Sequence, residues 1–150
     1  MSDELIRREH LVIAVSDHEM LTAYLEHFRK LFADWPPKDV TETVFALKQL
    51  LNQRLVNHFA HEEAHVFPAL LGAGLGEATA ASVARLLADH QAMMVDVRRL
   101  NGMLSNQELF RDHPTELRLT MLDFFERLQE HASREDEMFR ALPDTGHGTL

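Results

Sequence analysis

Six side chains stand out by type and spacing: His18, His58 with Glu62, His90, and His131 with Glu135. Imidazole is the commonest metal ligand in proteins and changes protonation close to neutral pH. A histidine and a carboxylate four residues apart lie one turn apart on the same helix face. Four imidazoles and two carboxylates form a donor set suited to Fe, Mn, Zn, Ni or Co. Two carboxylates that can each bridge, with two imidazoles per side, suit two metal ions rather than one and leave coordination positions open. Thiolate sites, disulfides and a Cys nucleophile are excluded, because the chain has no Cys.

The pattern occurs twice. Asp17-His18 matches Asp89-His90 at an offset of 72 residues, and His58-Phe59-Ala60-His61-Glu62-Glu63 matches His131-Ala132-Ser133-Arg134-Glu135-Asp136 at an offset of 73. Each half thus carries a lone His and, about 40 residues later, His-x-x-x-Glu. Two equivalent helix pairs would build a pseudo-two-fold site. Burying two carboxylates with no cation costs several kcal/mol each, and a hydrogen-bonded His–Glu network offsets only part of that. A metal site accounts for the set better than a polar core does.

The elements that hold these residues are legible as apolar stripes. The first runs Leu11, Ala14, His18, Leu21, Leu25, Phe28, Phe32, and the second Val44, Leu47, Leu51, Leu55, His58, Glu62, His65, Ala69. The third is Val83, Leu86, His90, Met93, Val97, and the fourth Leu117, Met121, Phe124, Leu128, His131, Glu135, Met138, Leu142. Steps alternating between three and four residues mark one face of a packed helix. Breaks are expected at Trp35-Pro36-Pro37-Lys38-Asp39, at Gly72 to Gly76, and more weakly from Asn101-Gly102 to His113-Pro114. Pro114 suits a first helical residue and the glycines a helix C-terminus, whereas Pro68 is expected to kink the second helix or end its regular part early. Short connections favour antiparallel neighbours, so the prediction is all-α: an up-down-up-down antiparallel four-helix bundle with a metal site in the core. Counting from the loops at about 1.5 Å per residue, the four histidines fall within a turn or so of one layer. Residues 1–150 read as one domain, the last eight or so forming a tail from Pro143.

The run His58-Phe59-Ala60-His61-Glu62-Glu63-Ala64-His65-Val66-Phe67-Pro68 resembles the signature H-F-x-x-E-E-x-x-x-F-P of hemerythrin-like (HHE cation-binding) domains, and His131 to Phe139 resembles a weaker second copy. The resemblance spans essentially the whole chain. It implies a non-haem di-iron centre in a four-helix bundle, with two iron ions of the Fe–O–Fe type and Mn or Zn as alternatives. By position, His18, His58, His90 and His131 would be terminal ligands, and Glu62 and Glu135 bridges. Members of the family bind O2 reversibly, sense oxygen or redox state, or handle iron and nitric oxide. Two departures matter. Oxygen carriers have a second His four residues after the third-helix ligand, where this chain has Met94, which counts against reversible O2 carriage. They also take the fourth-helix carboxylate five residues after its His, here Asp136, whereas the internal repeat favours Glu135.

The remaining histidines read differently. His65, seven residues after His58, is expected to face the core two turns away as an extra ligand, as a donor to a bridging carboxylate, or packed near the bundle end. His61 lies off the inner face by about 60°, and His10, two turns before His18, is rotated by about 80° and is the substitute should His18 not be the first-helix ligand. His27, His113 and His147 read as solvated surface. Met93, Met94, Met121 and Met138 read as gap fillers near the site, and Tyr24 sits too far round its helix to be a ligand.

Composition limits what such a site could serve. Lys+Arg 15 against Asp+Glu 24 gives a net charge of −9, which argues against nucleic acid as a partner. The charged N-terminus lacks a signal-peptide run, and no stretch approaches the roughly 20 apolar residues of a membrane span, so no membrane partner and a cytoplasmic location are expected. The favoured function is a non-enzymatic module whose small-molecule ligand is O2, NO or peroxide, passing a signal to a protein partner if it is a sensor. Metal storage or repair is an alternative. So is a ferritin-like di-iron oxidase or peroxidase, whose sites use Glu-x-x-His on two helices and a lone Glu on the other two. That pattern is met once, at Glu62-x-x-His65, and the lone positions here are His18 and His90.

Overall fold

The computed structural model describes residues 3–33 and 39–140, all in helices or their connections, with no strand among them. Four long arms form the bundle. The first is α1 (Asp3–Ala33). The second spans residues 40–72 without a break in the helical path: α2 (Val40–Gln49), a π turn (Leu50–Arg54), α3 (Leu55–His61), a second π turn (Glu62–Val66) and α4 (Phe67–Gly72). The third arm is α5 (Glu77–Leu104), and after the short α6 (Gln107–Asp112) the fourth is α7 (Pro114–Arg140). Trp35 to Lys38, Leu142, the tail from Pro143 and His147 lie outside the described residues.

Local chemistry sets the helix ends. The Asp39 carboxylate caps α2 by accepting from Glu42 N at 2.9 Å, and Asn106 caps α6 by accepting from Glu108 N and Leu109 N. The link from α4 to α5 needs left-handed backbone at Gly74 (φ 66°) and at Gly76 (φ 97°), conformations that glycine adopts without a Cβ penalty. Pro114 opens α7, where its missing N–H costs nothing. The third break is narrower than the sequence indicates. α5 runs through Asn101 and Gly102 to Leu104, and α6 occupies most of the remainder.

The arms alternate in direction. On α1 and α7, Arg29 donates to Gln129 while His18 meets Asp136, and on the second and third arms Asn52 meets Asn101 while Glu63 approaches His90. α1 packs on the second arm and on α7, and α5 packs on the second arm and on α7, which closes the up-down-up-down ring.

The interior has two apolar clusters. The larger contains Leu25, Phe28, Phe32, Leu51, Leu55, Phe124 and Phe125, and the smaller Ala14, Val66, Phe67, Leu70, Val83 and Leu86. On every arm the polar layer falls between them. Apolar side chains therefore shield the polar layer from above and below.

The second arm departs from the predicted stripe. A π turn closes with an i→i+5 bond and inserts one extra residue into the face count. Phe67 N bonds to Glu62 O in this manner, and after Glu62 the buried positions are Val66 and Leu70 rather than His65 and Ala69. His65 is exposed, so the expectation that it faces the core is corrected. Pro68 neither ends the arm nor stands mid-helix. In an unbroken α-helix its ring would collide with the Ala64 carbonyl. The π turn just before it opens that stretch, and Pro68 falls in the first turn of α4.

Candidate metal centre

His18, His58, Glu62, His90, His131 and Glu135 converge in the layer between the two apolar clusters, and all six are buried. Glu62 and Glu135 are 0 % exposed. Each histidine turns Nε2 inward. The distances are 3.4 Å from His18 to Glu62, 3.1 Å from His58 to Glu62, 3.2 Å from His90 to Glu62 and 2.6 Å from His131 to Glu135. His18 Nε2 also lies 3.7 Å from Glu135. The donor atoms fall into two sets, His18–His58–Glu62–Glu135 and Glu62–His90–His131–Glu135, each with its atoms within 4.8 Å of one another. Both sets contain both carboxylates.

The outward nitrogens meet a second ring of acids. Nδ1 of His18 donates to Asp136 at 2.7 Å, that of His58 to Asp17 at 3.1 Å, and that of His131 to Asp89 at 3.1 Å. Glu63 approaches His90 Nδ1 at 3.5 Å, too far for a good hydrogen bond. An Nδ1–H held by a carboxylate fixes the tautomer, leaves the Nε2 lone pair free, and makes that nitrogen a better donor to a cation. These four acids are the flanking residues of the internal repeat: Asp17 and Asp89 precede the lone histidines, and Glu63 and Asp136 follow the glutamates. The flanking acids of the repeat are thus the sequence signal for the outer ring, and Asp136, the alternative to Glu135, stands in it.

Loss of an outer carboxylate has a checkable cost. Asp89 accepts from both His131 and Arg134, the latter also at 3.1 Å. Asp89→Ala is expected to weaken metal retention by about 10–100-fold while the helical content is kept. Competition with a chelator measures this, and an unchanged affinity would mean that the outer ring does not orient the imidazoles.

Without a cation the cluster is electrostatically frustrated. Burial and the facing Glu62 carboxylate push Glu135 up to about 12. Burial also acts to raise Glu62, but Glu135, His18, His58 and His90 together hold it well below the usual carboxylate range. The pair therefore keeps a proton between its two side chains. Burial, then the neighbouring His90, push His131 down to about 4. Burial works against a charged His18, yet Glu62 and Asp136 outweigh it and raise that group. The inward atoms are also short of partners: His18 Nε2, His90 Nε2, His131 Nε2 and both oxygens of Glu62 and Glu135 are buried with no hydrogen bond of acceptable geometry. So many orphaned buried donors and acceptors in one place are costly. A cation bound among them would satisfy them together.

Aromatic rings close the sides. Phe59 stacks on His90 at 3.9 Å between centroids, with Phe67 at 5.4 Å, and Phe139 lies parallel to His18 at 6.3 Å. Met93 and Met121 are buried in the larger apolar cluster with Met94 half-buried beside it, and Met138 packs on the smaller one, as gap fillers would. The other histidines lie outside the layer. His27 and His113 are exposed, and His10 contacts His61 and His65 rather than substituting for His18. Burial, followed by the charges of His10 and His65, lowers His61. With His65 turned outward, Glu62-x-x-His65 does not converge as a ferritin-like pair requires. Half-buried Tyr24 lies under Arg54, 5.4 Å from ring centre to guanidinium.

Comparison with curated proteins and with solved structures finds no match. No helix of the described residues is long and apolar enough to cross a membrane. The hemerythrin HHE cation-binding domain, by contrast, matches the chain over residues 11–142, an interval that contains all six clustered side chains and both copies of the repeat. A metal-binding four-helix bundle is what such a match entails, and the chain belongs to the hemerythrin HHE cation-binding family.

Proposed function

We propose that the chain is a non-haem di-iron protein that binds or senses a small oxidant such as O2, NO or peroxide. The observation that carries the reading is the pair of donor sets sharing Glu62 and Glu135, which supports two ions bridged by both carboxylates. His18 and His58 would serve one ion, and His90 and His131 the other. Iron there supplies redox chemistry and coordination positions open to a small ligand.

The chain's own residues define the rest of the role. Asp17, Asp89 and Asp136 hold three imidazoles in one tautomer, so the ligand nitrogens need no rearrangement. Phe59 and Phe67 against His90, with the apolar clusters on both sides, keep bulk water from the layer. Buried, largely apolar surroundings of this kind suit a small neutral molecule better than a charged substrate. In a sensing role, the response to ligand would pass to a protein partner.

The test is an optical spectrum of the iron-loaded protein, taken without oxygen and again after O2 or NO is added. A sensing or binding role predicts a new absorption band with at least one of these ligands. Iron release without a spectral adduct would instead favour storage or delivery, and steady turnover of peroxide would favour an oxidase or peroxidase.

A further inference from the structure

Three histidines outside the buried layer meet on the face between α1 and the second arm. Nδ1 of His10 lies 3.1 Å from Nε2 of His61. The His65 ring stacks on His10 with centroids 4.4 Å apart and an interplanar angle of 4°, and its centroid is 5.4 Å from that of His61. Nδ1 of His61 is buried and has no hydrogen-bond partner. Among the described residues three or more donor atoms come within 4.8 Å of one another only in the two buried sets, so in their present rotamers these three rings do not converge on one point.

His61 and His65, four residues apart, would be neighbours on an unbroken helix too; the π turn adds the outward swing towards His10. His65 begins four residues after His61, in a helix whose α-helical face count would carry it towards the core. The extra residue of the turn at Glu62–Val66 swings it outward, to the side where His10 stands. A groove of about 350 Å³, lined in part by Ile13, Asp17, His58 and His61, reaches the His61 side of the cluster, and His65 is exposed on the other.

We propose that His10, His61 and His65 form a second, peripheral site for a divalent transition-metal ion of the zinc type, separate from the buried centre. Zinc accepts three imidazoles and a water in a tetrahedral arrangement, with Zn–N near 2.0–2.1 Å. Two nitrogens on such an ion stand roughly 3.3 Å apart by that geometry, close to the 3.1 Å between His10 and His61. His65 is exposed, so its ring can leave the stack by a rotamer change and supply the third nitrogen. Three imidazoles held only by stacking and one hydrogen bond are the competing account, and they would bind no ion. The site does not depend on which metal, if any, the buried cluster holds.

Calorimetric titration of the purified protein with Zn²⁺, with its resident metal assayed before and after, separates the two accounts. Wild type is expected to take up one additional equivalent of Zn²⁺ without releasing resident metal. The double variant H10N/H65N should lose that equivalent, and H27N, altered at an exposed position away from the cluster, should keep it. Single H65N, a change to one exposed side chain, should weaken the uptake at least ~10-fold and guards against a folding defect in the double variant. Circular dichroism should be the same for all four proteins. Equal Zn²⁺ uptake by wild type and H10N/H65N, no uptake by wild type, or loss of resident metal in H10N/H65N would each overturn the proposal.

Discussion

Glu62→Ala is expected to strip the protein of its metal almost completely, from about two ions per chain to well under one. Glu62 belongs to both donor sets, and its oxygens lie 3.1–3.4 Å from the inward nitrogens of His18, His58 and His90. Removing it takes the shared carboxylate from both halves at once. The loss should exceed the roughly 10–100-fold typical of an outer partner. His131→Ala removes a ligand from one half only, so it should release one ion more readily than the other. His27→Ala and His113→Ala, both at exposed positions, should leave the metal content unchanged. Glu135→Gln separates ligation from folding. It should lose metal as Glu62→Ala does, while the metal-free protein becomes more stable than metal-free wild type near neutral pH, because the buried group raised to about 12 no longer has to take up a proton on folding. Elemental analysis together with thermal unfolding of each variant checks this. Equal metal content in Glu62→Ala and His27→Ala would remove the site assignment.

Metal removal should also change how stability depends on pH. In the metal-free protein the folded-state value of Glu135 is raised to about 12 and that of His18 is raised as well. Both groups then bind more protons folded than unfolded, so their contribution is lost as pH rises through the window above their unfolded values. His131, lowered to about 4, acts in the opposite sense, but only between about 4 and the ordinary histidine range. Glu62, held low, acts in the acid range. From pH 7 to pH 9 the raised groups dominate. One retained proton corresponds to roughly 1.4 kcal/mol per pH unit, or a fall in Tm of about 3–5 °C per unit for a chain of this size. With metal bound the two carboxylates are ionised throughout and the slope should largely vanish. Parallel Tm curves for the metal-free and metal-loaded protein across that window would contradict this electrostatic account.

Much of this architecture is written in the stripes. Leu25, Phe28 and Phe32 on α1, or Leu117, Met121, Phe124 and Leu128 on α7, recur at helical spacing and are buried as that spacing implies. The convergence of six side chains is legible for the same reason, since His18, His58, His90 and His131 interrupt stripes that must face one interior. The π turns are not legible. A π turn differs from α by one residue, leaves no periodic mark of its own, and forms only where surrounding packing supports it. The sequence pattern therefore continued to His65 and Ala69 where the structure buries Val66 and Leu70. A helix-breaking Pro68 beside the apolar Val66 and Leu70 was the available hint. The outer acids are less legible for another reason: Asp17, Glu63, Asp89 and Asp136 are partly exposed charges on a strongly acidic chain, and apart from their place in the internal repeat only their contacts with ring nitrogens separate them from solvated surface.

As proposed, one buried layer of four imidazoles and two shared carboxylates would hold two iron ions. Elemental analysis of protein purified without added chelator, normalised to chain concentration and followed by chelation and thermal unfolding, tests it most directly. Close to two iron ions per chain are expected, with a marked fall in Tm once they are removed. Protein that carries no transition metal and unfolds at the same temperature with or without chelator would contradict it.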